Sequence, residues 1–291
     1  MGVSLRCGSR TFELGRATYV MGIVNVTPDS FSDGGRYFTA AAAYDCAMRL
    51  LEEGADVVDL GAESTRPGAT PVSAEEELRR LVPVLERLVS SGIDCLSVDT
   101  SKATVAAAAL DLGAAWINDV SGLADPELAA VAARADALVV MHARPMSVGQ
   151  LEDAVRYRDV LGEVSDHLGR LCAQAEAAGV APDRLVIDPG IGFGKTVQDN
   201  VELLNRADEL RRLGRPILVG PSRKRFVAML AGIDGDDRTG RDHATVGACC
   251  LAALRGADLV RVHEVPAVRR ALAVVDAAIR PTWSRKGQEG R

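Results

Sequence analysis

Eight times along this 291-residue chain, a short run rich in Val, Ile and Leu alternates with a longer segment of Ala, Leu, Glu and Arg. The short runs cover residues 19–26, 56–60, 95–99, 116–120, 137–142, 185–188, 217–220 and 259–263. Helical segments lie between them, among them 40–53, 74–90 and 157–178, and Ser73 with Glu76 forms a candidate capping box at one helix start. Strand alternating with helix implies parallel βαβ units, and eight such units point to an α/β protein with a closed (β/α)8 barrel, a TIM barrel. An open doubly wound sheet is the alternative. It would be supported by a GxGxxG turn after the first strand, and no such turn is present. The expected layout is an N-terminal hairpin or barrel plug at residues 1–18, one barrel domain over 19–280, and a disordered polar tail at 281–291.

Composition narrows the partners. Aromatic residues make up only 4% of the chain, so the core must be built from Val, Leu, Ile and Ala, as in a parallel sheet covered by helices. The net charge is -6 and no basic stretch stands out, so nucleic acid is not an expected partner. An anionic substrate would need a local cationic site. The six cysteines, at 7, 46, 95, 172, 249 and 250, include no CxxC pair and read as reduced thiols of a cytoplasmic protein. No basic region followed by an apolar run marks a signal peptide. No apolar stretch approaches the roughly 20 residues that span a bilayer, so no membrane association is expected.

Functional residues of a barrel enzyme gather at the C-terminal ends of its strands. Asn25, Asp59, Asp99, Asn118, Asp119, His142 and Asp188 lie at or near such ends. Ser222, Arg223 and Lys224 follow the seventh strand, and Arg261 and His263 end the eighth. Any one of these could be a helix cap or a buried hydrogen-bonding residue. Their recurrence at one end of nearly every strand is harder to explain that way. Two loops, 27–36 (TPDSFSDGGR) and 61–69 (GAESTRPGA), are long for barrel loops and rich in Gly and polar residues, which predicts mobility in the empty protein. The run DPGIGFGK at 188–195 lacks the GxxxxGK[ST] spacing of a Walker loop. His243, in GRDHAT, reads as a surface residue.

Seven segments together resemble one family. MGIVNVTPDSFSDGG (21–35), GAESTRPGA (61–69), SVDTSK (97–102), INDVSG (117–122), DPGIGFGK (188–195), GPSRKRF (220–226) and RVHEV (261–265) look like the signatures of dihydropteroate synthases, in the family's order. The resemblance runs from about residue 19 to 277 and implies an enzyme of folate biosynthesis, a known sulfonamide target. It would condense a 6-hydroxymethyl-7,8-dihydropterin diphosphate with p-aminobenzoate.

The resemblance also implies roles. Asp188 would accept two N–H donors from the pterin edge, as a carboxylate does from a guanidinium. Asp99, Asn118 and Lys224 would complete the polar rim, and Met141 and Phe193 the apolar lining. Asn25, Thr65, Arg66, Arg261 and His263 would hold the diphosphate. Asn25, with help from Asp99, would contribute to a Mg2+ site bridging its oxygens. Phe31, Pro67 and Ser222 would line the p-aminobenzoate pocket. The implied chemistry is a dissociative substitution, with Asn25, Asp99, Lys224, Arg261 and His263 as the catalytic group. It needs no nucleophilic side chain, and no Ser/His/Asp or Cys/His arrangement is evident. A homodimer is implied, and the apolar content of residues 244–254 and 266–279 agrees with one.

Two alternatives differ in kind. A pterin-binding methyltransferase acting on methyltetrahydrofolate would share the Asp/Asn/Asp pocket but would not need the Ser-Arg-Lys or Ser-Thr-Arg-Pro-Gly segments. An inactive folate-binding paralogue would bind pterin without releasing diphosphate.

Overall fold

The computed structural model describes residues 4–27, 40–64, 70–144 and 156–280. A hairpin of β1 (Ser4–Cys7) and β2 (Arg10–Glu13) comes first. Eight parallel strands follow: β3 (Tyr19–Asn25), β4 (Val57–Gly61), β5 (Leu96–Asp99), β6 (Trp116–Asp119), β7 (Ala137–Met141), β8 (Leu185–Asp188), β9 (Leu218–Val219) and β10 (Leu259–Val262). They are ordered β8-β7-β6-β5-β4-β3-β10-β9. A parallel bridge between Ile187 and Ile217, with the Ile187 N–H 2.9 Å from the Pro216 carbonyl, joins the two outermost strands, so the sheet closes into the expected barrel.

Helices α1 (Ala40–Glu52), α2 (Ala74–Ser90), α3 (Ala103–Asp111), α4 (Leu128–Ala132), α5 (Val160–Ala177), α6 (Val197–Asn205), α7 (Arg225–Leu230), α8 (Arg238–Leu254) and α9 (Val265–Ile279) fill the connections. Three local expectations change. The Ser73 hydroxyl caps α2 by accepting the Glu76 N–H at 3.2 Å, but Glu76 does not reach back. Its carboxylate is taken by Arg79 and Arg80, so only half of the box forms there. A complete capping box forms instead at α6, between Thr196 and Asp199. Helix α5 begins at Val160 rather than 157, because Asp159 accepts the Gly162 N–H and fixes the start. Strand β9 keeps only two residues, since the Ile217 N–H is bound by the Asp258 carboxylate at 3.0 Å.

Successive residues of a strand face opposite sides, and here both sides are buried. Val20, Val24, Val58, Leu60, Leu96, Val98, Ile117, Leu138, Val140, Ile187, Val219 and Val260 belong to one core that also takes in the apolar faces of the helices. The alternate positions Met21, Val57, Trp116, Ala137, Val139, Val186, Leu218 and Leu259 form a second core inside the barrel. Leu5, Cys7 and Phe12 of the hairpin belong to that second core, which places the hairpin over the N-terminal end of the barrel. Phe12 meets Trp116 edge-on, with ring centroids 6.0 Å apart. The Trp116 indole N–H donates to the Arg6 carbonyl at 2.7 Å, so its polar atom is satisfied despite full burial. Asp136 and Asp94 accept the N–H groups of Gly8 and Ser9 and fasten the hairpin turn.

All six cysteines are free thiols. His243 is exposed, as expected. No helix among the described residues is long and apolar enough to cross a membrane.

Candidate active site

The inward positions that are apolar low in the barrel become polar near its mouth. Asn25 of β3 is in register with Gly61 of β4, Gly61 with Asp99 of β5, and Asp99 with Asn118 of β6. On the far side, Met141 of β7 pairs with Asp188 of β8. Asn118 is itself in register with Val139, so Met141 and Asp188 stand one inward position further up, and all five residues lie at the mouth end of the barrel.

Arg261 of β10 ties part of this layer together. Its Nε donates to Asp59 Oδ2 at 2.6 Å and its Nη2 to Asp99 Oδ2 at 2.7 Å. Asn118 Nδ2 also donates to Asp59 Oδ2, at 3.0 Å. Asp59 is fully buried, and its Oδ1 has no hydrogen-bond partner among the described residues. Burial pushes the Asp99 carboxyl well above its ordinary value, to about 7; the Arg261 guanidinium opposes the shift and the Asp59 charge adds to it. The guanidinium thus already spends two donors on carboxylates of the pocket wall. Asp59 lies one inward step below the end of β4; the sequence singles it out as a polar residue near a strand end but assigns it no role. The signal that could have placed it in the site is its inward parity, shared with Val57 and Gly61.

Asp188 is 7% exposed, and its Oδ1 accepts the Gly190 N–H at 2.7 Å. Burial raises its pKa, against the pull of that N–H and of the charges of Lys224, Lys195 and Arg261. The turn after it must pass very close to its neighbours. Gly190 has φ 65°, and a Cβ there would collide with the His142 carbonyl oxygen. Gly192 has φ 78°, and a Cβ would lie 2.7 Å from Lys224 Cδ. That room lets Lys224 lay its Nζ 3.6 Å from the centroid of the Phe193 ring.

Lys195, the last residue of DPGIGFGK, has its Nζ taken up by the protein's own backbone carbonyls and His142. It is fully buried and donates to the carbonyls of Gly190 (2.7 Å) and Phe193 (3.1 Å), with His142 Nδ1 at 2.9 Å. Burial lowers its pKa to about 7 and that of His142 to about 3. A neutral imidazole is the form whose unprotonated Nδ1 can accept a hydrogen bond from the lysine. Lys195 therefore staples the turn that presents Phe193, a role sequence reasoning did not foresee.

A second polar cluster stands beside the first. The His263 ring lies between Asn25, whose Nδ2 is 3.3 Å from Nε2, and Ser222, whose Oγ is 2.9 Å from Nδ1. The Ser222 hydroxyl also accepts the His263 backbone N–H at 3.1 Å. Asn25, His263 and Ser222 thus come together from the C-terminal ends of three different strands, β3, β10 and β9.

Asp119 belongs to neither cluster. It faces outward and accepts the N–H groups of Ser121 and Leu123, so it is a turn cap. Phe31, Thr65, Arg66 and Pro67 lie outside the described residues. The stem of their second loop is described: Glu63 accepts the Val72 N–H and pairs with Lys102, which also pairs with the buried Glu77.

Among the described residues no group of three His, Cys, Asp or Glu could hold a metal. Asn25 supplies one neutral oxygen, and Asp99 is committed to Arg261. Such a thin donor set fits only an ion held mainly by substrate oxygens and water, which is the habit of Mg2+.

The family model for pterin binding enzymes matches residues 21–263. A dihydropteroate synthase of Mycobacterium leprae is 51% identical over 263 residues, covering 89% of this chain and 92% of its own. Among solved structures, Xanthomonas albilineans dihydropteroate synthase with 4-aminobenzoic acid superposes with a TM-score of 0.87 at 47% identity, over 96% of this chain and 98% of that one. The same enzyme in complex with 7,8-dihydropteroate gives 0.81 at 41% identity, over 95% and 98%. Full-length similarity at this level, on a barrel whose mouth carries the polar residues of the signature segments, shows that this chain belongs to the dihydropteroate synthase family of pterin-binding enzymes.

Proposed function

We propose that the protein condenses 6-hydroxymethyl-7,8-dihydropterin diphosphate with p-aminobenzoate, giving 7,8-dihydropteroate and diphosphate. The observation that carries this is the juxtaposition of two clusters at the barrel mouth. One is a carboxylate-lined pocket with Lys224 and Phe193 at its edge. The other is the Asn25–His263–Ser222 group, two residues along the chain from Arg261.

Asp188 accepts two N–H donors from the pterin edge, an arrangement that needs its ionised form. Asp99 and Asn118 complete the rim, Met141 and Phe193 cover the ring faces, and Lys224 reaches the carbonyl side. His263, Asn25 and a remaining donor of Arg261 face the diphosphate, joined by Thr65 and Arg66. The C–O bond to the diphosphate breaks with its electron pair leaving on oxygen, and the methylene carbon becomes a cation stabilised by the pterin. The p-aminobenzoate nitrogen gives its lone pair to that carbon and then loses a proton. The protein contributes positioning and charge stabilisation, worth most where charge develops on the leaving oxygens. Bound Mg2+, held through Asn25, would neutralise diphosphate charge. Phe31, Pro67 and Ser222 would line the p-aminobenzoate site, and closure of the two loops around it would exclude water from the cation.

The surroundings support three further assignments. The free thiols fit a reducing cytoplasm. Met229, Leu230, Leu254, Val274 and Ile279 are large and exposed on α7, α8 and α9, which suits a homodimer through those helices. Residues 19–280 act as one catalytic domain, with residues 1–18 as its plug.

Purified protein supplied with both substrates and Mg2+ is expected to form dihydropteroate and release diphosphate in equal amounts, with turnover lost on chelation. Transfer of a methyl from methyltetrahydrofolate, or pterin binding without diphosphate release, would replace this function with one of the two alternatives.

A further inference from the structure

Arg223 separates two residues of the site, Ser222 and Lys224, and its backbone is in an unusual state. Its φ is 57°, in the left-handed region that an L residue with a Cβ avoids. Leu123, the other described non-glycine residue with positive φ, is accounted for by the Asp119 carboxylate, which binds its N–H.

Arg223 is held at three points, all from the N-terminal half of α8. The Thr245 hydroxyl accepts its N–H at 3.0 Å. Arg241 Nη1 lies 3.4 Å from its carbonyl. Asp242 takes its guanidinium in a fork, with Nε 2.6 Å from Oδ1 and Nη2 2.9 Å from Oδ2. The parts of the clamp are fixed in turn. Thr245 donates to the Arg241 carbonyl at 2.7 Å, and Arg241 Nη2 donates to the Gly235 carbonyl at 2.9 Å. The Arg223–Asp242 pair is mostly covered, so solvent screens it only in part.

A left-handed residue reverses the chain locally. With Arg223 in that state, the Ser222 hydroxyl meets the His263 ring while Lys224, the next residue but one, lies over Phe193. Relaxing Arg223 to an ordinary φ would turn one of these two side chains out of the site. Strain of this kind persists only where the surroundings over-determine it, and it gathers at functional turns.

We infer that Asp242, with Arg241 and Thr245, is a positioning residue for this enzyme, one that locks Arg223 in its left-handed state so that Ser222 and Lys224 enter the site together. This rests on the roles given above to Ser222 and Lys224. The clamp is needed only because residue 223 carries a Cβ. A glycine at 223 takes the same φ without the penalty.

The test compares Asp242→Ala, Arg223→Lys, and the double variant Arg223→Gly/Asp242→Ala with the parent. Thermal melting follows the fold, titration with 6-hydroxymethylpterin gives its Kd, and initial rates give KM for p-aminobenzoate. Asp242→Ala is expected to raise both the pterin Kd and the p-aminobenzoate KM about tenfold, the population loss matching about 1.4 kcal/mol of released strain. Arg223→Lys, which keeps charge and Cβ but loses the fork, should do the same. The double variant should return both constants to within about threefold of the parent. A double variant that folds yet stays as impaired as Asp242→Ala would overturn the inference, as would parental constants in Asp242→Ala or Arg223→Lys. Ser222→Ala and Lys224→Met, measured alongside, separate the two levels. If they bind both substrates normally, it is the assignment of Ser222 and Lys224 that falls.

Discussion

The two ends of this barrel are built from the same strands and the same inward-facing positions, yet they are made of opposite materials. Low in the barrel those positions are Met21, Val57, Trp116, Val186 and Leu259, closed off by Leu5, Cys7 and Phe12 of the hairpin. Near the mouth they are Asn25, Asp99, Asn118, Asp188 and Arg261. Moving up one strand changes the side chain from core to site without changing its direction. Stability and function are therefore stacked along one axis, the first supplied by burial of apolar surface and the second kept at the cost of buried charge.

That contrast can be broken most forcefully from below. Trp116→Ala removes the largest side chain of the lower layer, together with its bond to Arg6. A loss of about 3–5 kcal/mol in unfolding free energy is expected, with the pterin Kd of the molecules that remain folded nearly unchanged. Denaturant melts and pterin titration at low temperature check both halves. A large loss of affinity at full stability would show that the lower layer is not merely structural.

Arg261 is where the contrast should blur. Arg261→Ala leaves Asp59 and Asp99 without their shared cation. It should cost stability by about 2–4 kcal/mol, because a buried charge loses its partner, and weaken binding of bare pterin as well as of its diphosphate, the latter more because a donor facing it is also lost. His263→Ala, which leaves no such charge behind, should spare the fold and the bare pterin and damage diphosphate binding and turnover. Calorimetry with 6-hydroxymethylpterin and with its diphosphate separates the two variants, and identical profiles would contradict the division of the mouth into two clusters.

A smaller effect should appear with pH. The Asp99 carboxyl is raised to about 7 by burial, above an ordinary value of 3.8. Ionising it costs the folded chain more than the unfolded one, so its contribution to stability falls as pH rises from about 4 to about 7. In its proposed role the ionised form accepts pterin donors, so kcat/KM for the pterin diphosphate should rise about tenfold between pH 6 and pH 8. Opposite slopes of melting temperature and kcat/KM are expected in the parent, and Asp99→Asn should flatten both.

How much of this was legible in the sequence follows from the same geometry. The barrel could be read because both faces of each strand are buried, which turns strands into continuous aliphatic runs. Asp99, Asn118, Asp188 and Arg261 stood out as polar residues ending such runs. Asp59 and Asp119 were harder to tell apart, because each lies within two residues of a strand end. Parity sorts them: Asp59 shares the inward face of Val57, whereas Asp119 alternates with the inward Asn118 and serves as a cap. Lys195 and Asp242 could not be read. A lysine in a Gly-rich run suggests an anion, and only the folded turn shows it bound to carbonyls. Asp242 acts across 19 residues, on a backbone angle that no local pattern announces. Phe31, Thr65, Arg66 and Pro67 rest on the resemblance, since they lie outside the described residues.

Pterin binding by the polar layer at the mouth is proposed to rest mainly on the Asp188 carboxylate as acceptor. Asp188→Asn replaces one acceptor oxygen with an N–H2 that would face a donor of the ligand, at a cost of about 2–4 kcal/mol. Titrating parent and variant with 6-hydroxymethylpterin, with thermal melts run in parallel, tests this directly. A Kd raised about 30-fold to 1,000-fold at an almost unchanged melting temperature is expected. A pterin affinity within threefold of the parent would contradict it.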